Sequence, residues 1–153
     1  ETGQQVSTHQ LFDWSKSDDN HIRYYSGRVR YTTTFTMKKQ DLKSCTWWLR
    51  LPGLKYIAHV WLNGQDLGTV WAAPYEVELG KVLHKGKNTL EIEVVNTWHN
   101  ALRGADQGKA PYNGIWTNAK YRTKGDGLLP AGLLETPLLV RERYNNFRAF
   151  FEE

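Results

Sequence analysis

Apolar and polar residues alternate with period two along much of the chain. From Gly27 to Thr36, Val29, Tyr31, Thr33 and Phe35 fall on one face and Arg28, Arg30, Thr32 and Thr34 on the other. That spacing, rich in aromatic and β-branched residues, predicts a half-buried strand. Trp47–Leu51 and Ile57–Leu62 are the next two predicted strands, and Leu67 and Val70 belong to a strand returning from Leu62-Asn63-Gly64-Gln65. Asn-Gly between apolar alternations favours a two-residue hairpin turn, in which both central residues take positive φ. Tyr75, Val77 and Leu79 alternate with Glu76 and Glu78, and Leu90, Ile92 and Val94 alternate with Glu91 and Glu93. Leu138–Arg143 reads as a closing strand.

No window of 11–18 residues carries a helical period, so the expectation is an all-β sandwich or barrel with no long helix. Residues 97–132 stand apart. They contain Gly104, Gly108, Gly114, Gly125, Gly127 and Gly132 with Pro111 and Pro130 and show little periodicity. Irregular stretches of this length in a compact domain are often binding loops. The expected organisation is a polar extension over 1–11, one sandwich domain over 12–143, and a polar-aromatic tail over 144–153.

Composition narrows the classes of function. The 153 residues are 40% hydrophobic and 24% charged, ordinary for a globular domain. The net charge of +4 comes from scattered basic residues rather than a block, which argues against a nucleic-acid partner. No apolar run is long enough to cross a membrane as a helix. The opening Glu1-Thr2-Gly3-Gln4-Gln5 lacks the features of a signal peptide. Cys45 is the only cysteine, so an intramolecular disulfide and a cysteine-based zinc site are both excluded.

A family resemblance rests on four ordered motifs. Ala58-His59-Val60-Trp61-Leu62-Asn63-Gly64-Gln65-Asp66-Leu67-Gly68 resembles the V-x-L-N-G-x-x-L-G hairpin of the sugar-binding jelly-roll domain in glycoside hydrolase family 2. Tyr25-Ser26-Gly27-x-Val29-x-Tyr31-x-x-x-Phe35 resembles its opening strand, and Pro74-Tyr75-x-Val77 the strand after the hairpin. Gly86-x-Asn88-x-Leu90-x-Ile92-x-Val94-x-Asn96 resembles a later strand. Its continuation, Asn96-Thr97-Trp98-His99-Asn100-Ala101-Leu102-Arg103-Gly104, and Trp71-Ala72-Ala73-Pro74 are similar to the version attached to bacterial α-L-rhamnosidase-type hydrolases. The resemblance runs from about Phe12 to Arg143. It implies a galactose-binding-like jelly-roll β-sandwich that is an accessory unit beside a separate catalytic (β/α)₈ barrel. It also implies an extracytoplasmic parent protein. Two departures stand out. Thr69-Val70-Trp71-Ala72-Ala73 replaces the usual His-x-Gly-Gly-Tyr segment, and Gly132-Leu133-Leu134-Glu135-Thr136-Pro137 only partly matches the closing Gly-Leu-x-Gly-Pro.

The candidate chemistry is sparse. Glycoside hydrolysis needs two carboxyl groups across one bond. Glu91/Glu93 and Glu76/Glu78 are the tempting pairs, but each lies on the polar face of a predicted strand. The chain is also shorter than the ~200 residues of the smallest (β/α)₈ barrels. None of His9, His21, His59, His84 and His99 pairs at metal-ligand spacing. Asp18-Asp19-Asn20 offers oxygens of the kind calcium takes, and equally an Asx-type turn ahead of the first strand. A structural calcium there is the only cofactor considered. Asn96, Asn100 and Asp106 are expected to satisfy backbone groups of the irregular loop.

The seven Trp, eight Tyr and five Phe are the informative excess. Trp48 and Trp61 lie on strands and are expected in the core. Trp71, Trp98, Tyr112 and Trp116 lie in or beside loops, where they could form a carbohydrate platform or pack against a catalytic domain of the same parent chain. His99, Arg103 and Asn113 could add hydrogen bonds to a sugar. The expected roles are therefore a non-catalytic accessory domain, an independent carbohydrate-binding module, or a protein-interaction sandwich without a sugar.

Overall fold

The computed structural model describes residues 5, 7–43, 45–118 and 127–143. The tail expected over 144–153 lies outside the described residues, as do residues 119–126 of the irregular stretch. Among the described residues, seven strands form two antiparallel sheets: β1 (Arg28–Met37), β2 (Cys45–Arg50), β3 (Ile57–Leu62), β4 (Gln65–Val70), β5 (Glu76–Glu78), β6 (Gly86–Val95) and β7 (Leu138–Arg143). One sheet has the order β1-β6-β3-β4 and the other β5-β2-β7. The strands match the alternation in the sequence, and the architecture is the expected β-sandwich. Between the sheets, Leu49, Leu51, Val77, Leu79 and Leu139 meet Ala58, Val60, Leu62, Leu90, Ile92 and Val94.

The β3–β4 hairpin turns as its Asn-Gly pair requires, with φ of 53° at Asn63 and 78° at Gly64. Asn63 does more than turn the chain. Its Nδ2 donates to Val82 O at 3.0 Å and to Asn88 Oδ1 at 2.9 Å, and its Oδ1 accepts from Thr89 N at 2.8 Å. Asn88, fully buried, in turn donates to His84 O at 2.8 Å and Gly86 O at 3.0 Å. This network closes one end of the sandwich.

The register places the other loops at the opposite end. Arg28, Val95 and Ile57 align across β1, β6 and β3, and Ala58 pairs with Val70 where β4 finishes. Arg50 aligns with Glu76 and Leu138, so β5 and β7 begin at that end too. Residues 12–27, 51–56, 71–75 and 96–118 with 127–137 therefore gather there.

Two expectations about tryptophan fail. Trp48 and Trp61 are both half-buried on the outer faces of the sheets rather than in the core. Trp48 shares its side of β2 with Thr46 and Arg50, and its Nε1 donates to Glu142 Oε2 at 3.0 Å. Trp61 stacks under the Arg30 guanidinium, 4.8 Å from the ring centroid, and beside His59 at 4.2 Å. The tryptophans at the core are Trp14, buried in it, and Trp47, packed against it.

The irregular stretch holds a helix of eight residues, α2 (His99–Asp106), in addition to the four-residue α1 (Asn20–Arg23). The face that α2 buries is Asn100, Ala101 and Gly104, which carries almost no hydrophobic signal. Gly104 is required by packing, because a Cβ there would lie 2.5 Å from the Tyr24 ring.

Candidate functional site

The loop end is held by polar clamps. Asn96 Nδ2 donates to Tyr25 O at 3.0 Å, and its Oδ1 accepts from Thr97 N at 2.8 Å. Asn100, 1% exposed, donates to Leu129 O at 2.8 Å and accepts from Leu129 N at 2.9 Å. That pair of bonds ties α2 to the segment leading to β7 and satisfies both backbone groups of one residue. Asp13 Oδ1 accepts from Ser15 N, the Ser15 hydroxyl and Ala131 N at 2.7–3.0 Å. Asn96 and Asn100 thus have the structural role expected of them, whereas Asp106 is exposed.

A second clamp joins the segment before α1 to the same closing loop. Trp14 Nε1 donates to Tyr31 Oη at 2.8 Å, and Leu133 N donates to the same oxygen at 3.2 Å. Burial raises the Tyr31 phenol above its ordinary pKa of about 10, against the opposing effect of these two bonds. Gly132, at φ of 99°, lets the loop approach Trp14, since a Cβ would sit 2.5 Å from Trp14 Nε1.

The structure brings together only part of the expected aromatic cluster. Trp98 and Tyr112 line a groove of about 280 Å³ with Tyr25, Ser26, Ala101 and Ile115. Trp98 is 68% exposed at the mouth of α2. The Tyr112 hydroxyl donates to His21 O, its ring meets His21 edge-on at 5.9 Å, and burial raises its pKa. Trp71 leaves β4, three strand spacings or roughly 14 Å across the sheet from β1, beside which Tyr25 and Ser26 lie. Trp71 and Trp116 are 71% and 77% exposed and do not line the groove. His99 and Arg103, one turn apart on α2, and the exposed Asn113 do not line it either.

The carboxylate pairs are engaged on open sheet faces. Arg30 reaches Glu91 at 3.4 Å and Glu93 at 3.1 Å, while Arg28 lies 3.7 Å from Glu93. Glu76 pairs with Arg50 across β5 and β2, and Glu78 is exposed. On the same face as Glu93, His59 Nε2 bonds Asp66 Oδ1 at 2.8 Å, and its Nδ1 meets the Thr69 hydroxyl at 2.9 Å. Asp19 forms the Asx-type turn, its Oδ1 accepting from His21 N at 2.8 Å to cap α1. Among the described residues, no three His, Cys, Asp or Glu side chains converge as metal ligands, and no helix is long and apolar enough to cross a membrane.

This architecture has known counterparts. The sequence profile described as "Glycosyl hydrolase 2 galactose-binding domain-like" matches residues 8–126. The chain is 36% identical over 121 residues to a Formosa agariphila protein named "Putative beta-glucuronidase", spanning 78% of this chain and 10% of that one. The rhamnosidase of Novosphingobium sp. PP1Y superposes with a TM-score of 0.80 at 36% identity. That match covers 90% of this chain and 13% of the rhamnosidase. The four ordered motifs, the two-sheet sandwich and the profile match agree: the chain belongs to the galactose-binding-like domain family of glycoside hydrolase family 2.

Proposed function

We propose that this chain is the non-catalytic β-sandwich unit of a larger bacterial glycoside hydrolase and packs beside a separate catalytic barrel. One observation carries the reading: the sandwich superposes along 90% of its length on a segment that makes up only 13% of a rhamnosidase. Its own chemistry agrees. Glu91, Glu93 and Glu76 are bound to arginines on open faces, and among the described residues no carboxylate lines the groove at the loop end. Large apolar side chains are left outside, Trp71, Trp98, Trp116 and Ile57 among them, and suit contact with another domain. The names of the relatives suggest rhamnoside or glucuronide hydrolysis by the whole protein; an extracytoplasmic parent is proposed from the family resemblance alone. The test is a panel of nitrophenyl glycosides, with rhamnosides and glucuronides included. The chain alone releases no nitrophenol. Release that a single Glu or Asp substitution here abolishes would overturn the reading.

A second reading, an independent carbohydrate-binding module, is favoured by the Trp98–Tyr112 groove alone. An exposed indole above a small cavity suits the C–H face of a sugar ring. Glycan-array binding lost in Trp98→Ala, with folding intact, would support this second role.

A further inference from the structure

Among the described residues the two sheets end in four edge strands, β1 and β4 in one sheet and β5 and β7 in the other. Open edges pair readily with other chains, and natural sheets blunt them with short strands, bulges, prolines or charges. Three of these edges carry such a device. The register of β4 against β3 shifts between Val60 and Trp61, and β4 holds Gly68 at φ of 96°. β5 has three residues, and β7 ends in Arg141-Glu142-Arg143. β1 differs. It runs for ten residues without Pro, Gly or Lys, and its register against β6 is unbroken from Arg28 to Met37. Its two arginines turn inward along the sheet, to Glu93 and Glu91 on β6, and do not guard the edge.

The ladder decides which backbone groups face outward. Asn96 N donates to Gly27 O at 2.9 Å, so Gly27 and Asn96, just beyond the aligned Arg28 and Val95, form a hydrogen-bonded pair. Such pairs alternate in antiparallel sheets. Val29, Tyr31, Thr33 and Phe35 therefore bond β6, while Arg28, Arg30, Thr32, Thr34 and Thr36 turn N–H and C=O to the open edge. Arg28 O accepts from the Tyr25 hydroxyl at 3.1 Å. From Arg30 to Thr36 the outward backbone groups have no partner among the described residues. Thr32, Thr33 and Thr34 are all exposed, although Thr33 has the parity of the core face.

We propose that β1 pairs antiparallel with β1 of a second copy of this chain, across a two-fold axis at Thr32, and joins two four-stranded sheets into one. Charge selects the direction and the register. An axis at Thr32 sets Arg28 against Thr36, Arg30 against Thr34, and Thr32 against Thr32, a favourable cross-strand pairing. Parallel pairing in register would set each arginine against its own copy. An axis at Thr33 or Thr34 would bring Lys38 opposite Arg28 or Arg30. An axis nearer Arg28 pairs fewer of the free groups. The central three pairs supply about six hydrogen bonds, two for each hydrogen-bonded pair. An isologous contact of this kind closes at two copies. β4, which leads to Trp71, lies at the other edge of the sheet, so the dimer leaves that indole free to meet another domain.

Sedimentation equilibrium from ~1 μM to ~1 mM chain reads the mass, and the expected dissociation constant is micromolar. Amide exchange by NMR reads the edge. The amides of Thr32 and Thr34 should gain protection as concentration rises, while that of Thr33, bonded to β6, is protected throughout. Thr32→Lys sets like charges face to face at the axis, and Thr34→Pro deletes an outward donor without touching the β6 ladder. Each variant, judged folded by its melt in dilute solution, should weaken dimerisation about tenfold or more. A chain that stays monomeric at ~1 mM overturns the proposal. So does a dimer that folded Thr32→Lys does not weaken, or one whose formation leaves exchange at Thr32 and Thr34 unchanged. None of these results bears on the nitrophenyl glycoside assay, so this inference stands or falls apart from the accessory-domain reading.

Discussion

Replacing Tyr31 by Phe removes one oxygen and leaves two buried donors without an acceptor. Tyr31 Oη is the acceptor for Trp14 Nε1 at 2.8 Å and Leu133 N at 3.2 Å, and both donor residues are at most 4% exposed. An unsatisfied buried donor costs about 1–3 kcal/mol. The two losses share one site and will not add fully, so Tyr31→Phe is expected to cost about 2–4 kcal/mol. That is a large part of a typical stability of about 5–15 kcal/mol. Urea titration is the assay, with the slope checked for a change in the unfolded state.

A pH series gives the same prediction a second edge. The folded phenol titrates above its unfolded value because burial disfavours the phenolate. As pH rises past about 10, the unfolded chain loses this proton first, and the folded chain binds more protons. Stability from Tyr31 is therefore complete below pH ~10 and declines as pH rises toward the folded pKa. Phe has no such decline, so the gap between the two proteins should narrow in alkali. Tyr112 titrates in both proteins and cancels. A loss below about 0.5 kcal/mol at neutral pH, or a gap that widens in alkali, would refute the reasoning.

Gly64→Val should cost roughly 1–3 kcal/mol because it forces a β-branched residue to φ of 78° where no neighbour lies within 4 Å, whereas Gly64→Asn should recover most of the loss in thermal melts. Asn100→Ala strips both backbone groups of Leu129 of their partners and should cost about 2–4 kcal/mol, with faster amide exchange at Leu129; unchanged exchange there would mean that the clamp does not hold the loop. Trp71→Ala and Trp116→Ala, both at residues more than two-thirds exposed, should leave stability within about 0.5 kcal/mol of the parent by urea titration, and a loss of 3 kcal/mol or more would place them in packing that this structure lacks.

The sequence alone determined the features that depend on neighbours along the chain. Period-two patterning located β1, β3 and β6 to within a few residues, and Asn63-Gly64 specified the hairpin because few other pairs take two positive φ angles easily. The outward glutamates were legible for the same reason. Trp48 and Trp61 were misread because each is flanked by apolar residues, so hydrophobicity marks both faces of its strand. Only the polar residues of like parity, Thr46 and Arg50 for Trp48 and His59 for Trp61, signalled the outer side. Helix α2 escaped notice because it buries Asn100, Ala101 and Gly104, held by hydrogen bonds and close approach rather than by an apolar stripe. The loop aromatics were legible as a group, but the sheet register decided which of them meet, joining Trp98 to Tyr112 and leaving Trp71 on the far edge strand. Ser15, Lys16, Arg23, Gln107 and Leu128 span more than 100 positions of sequence yet line one cavity. No local pattern encodes that assembly, because only the folded chain brings residues so far apart in sequence to one surface.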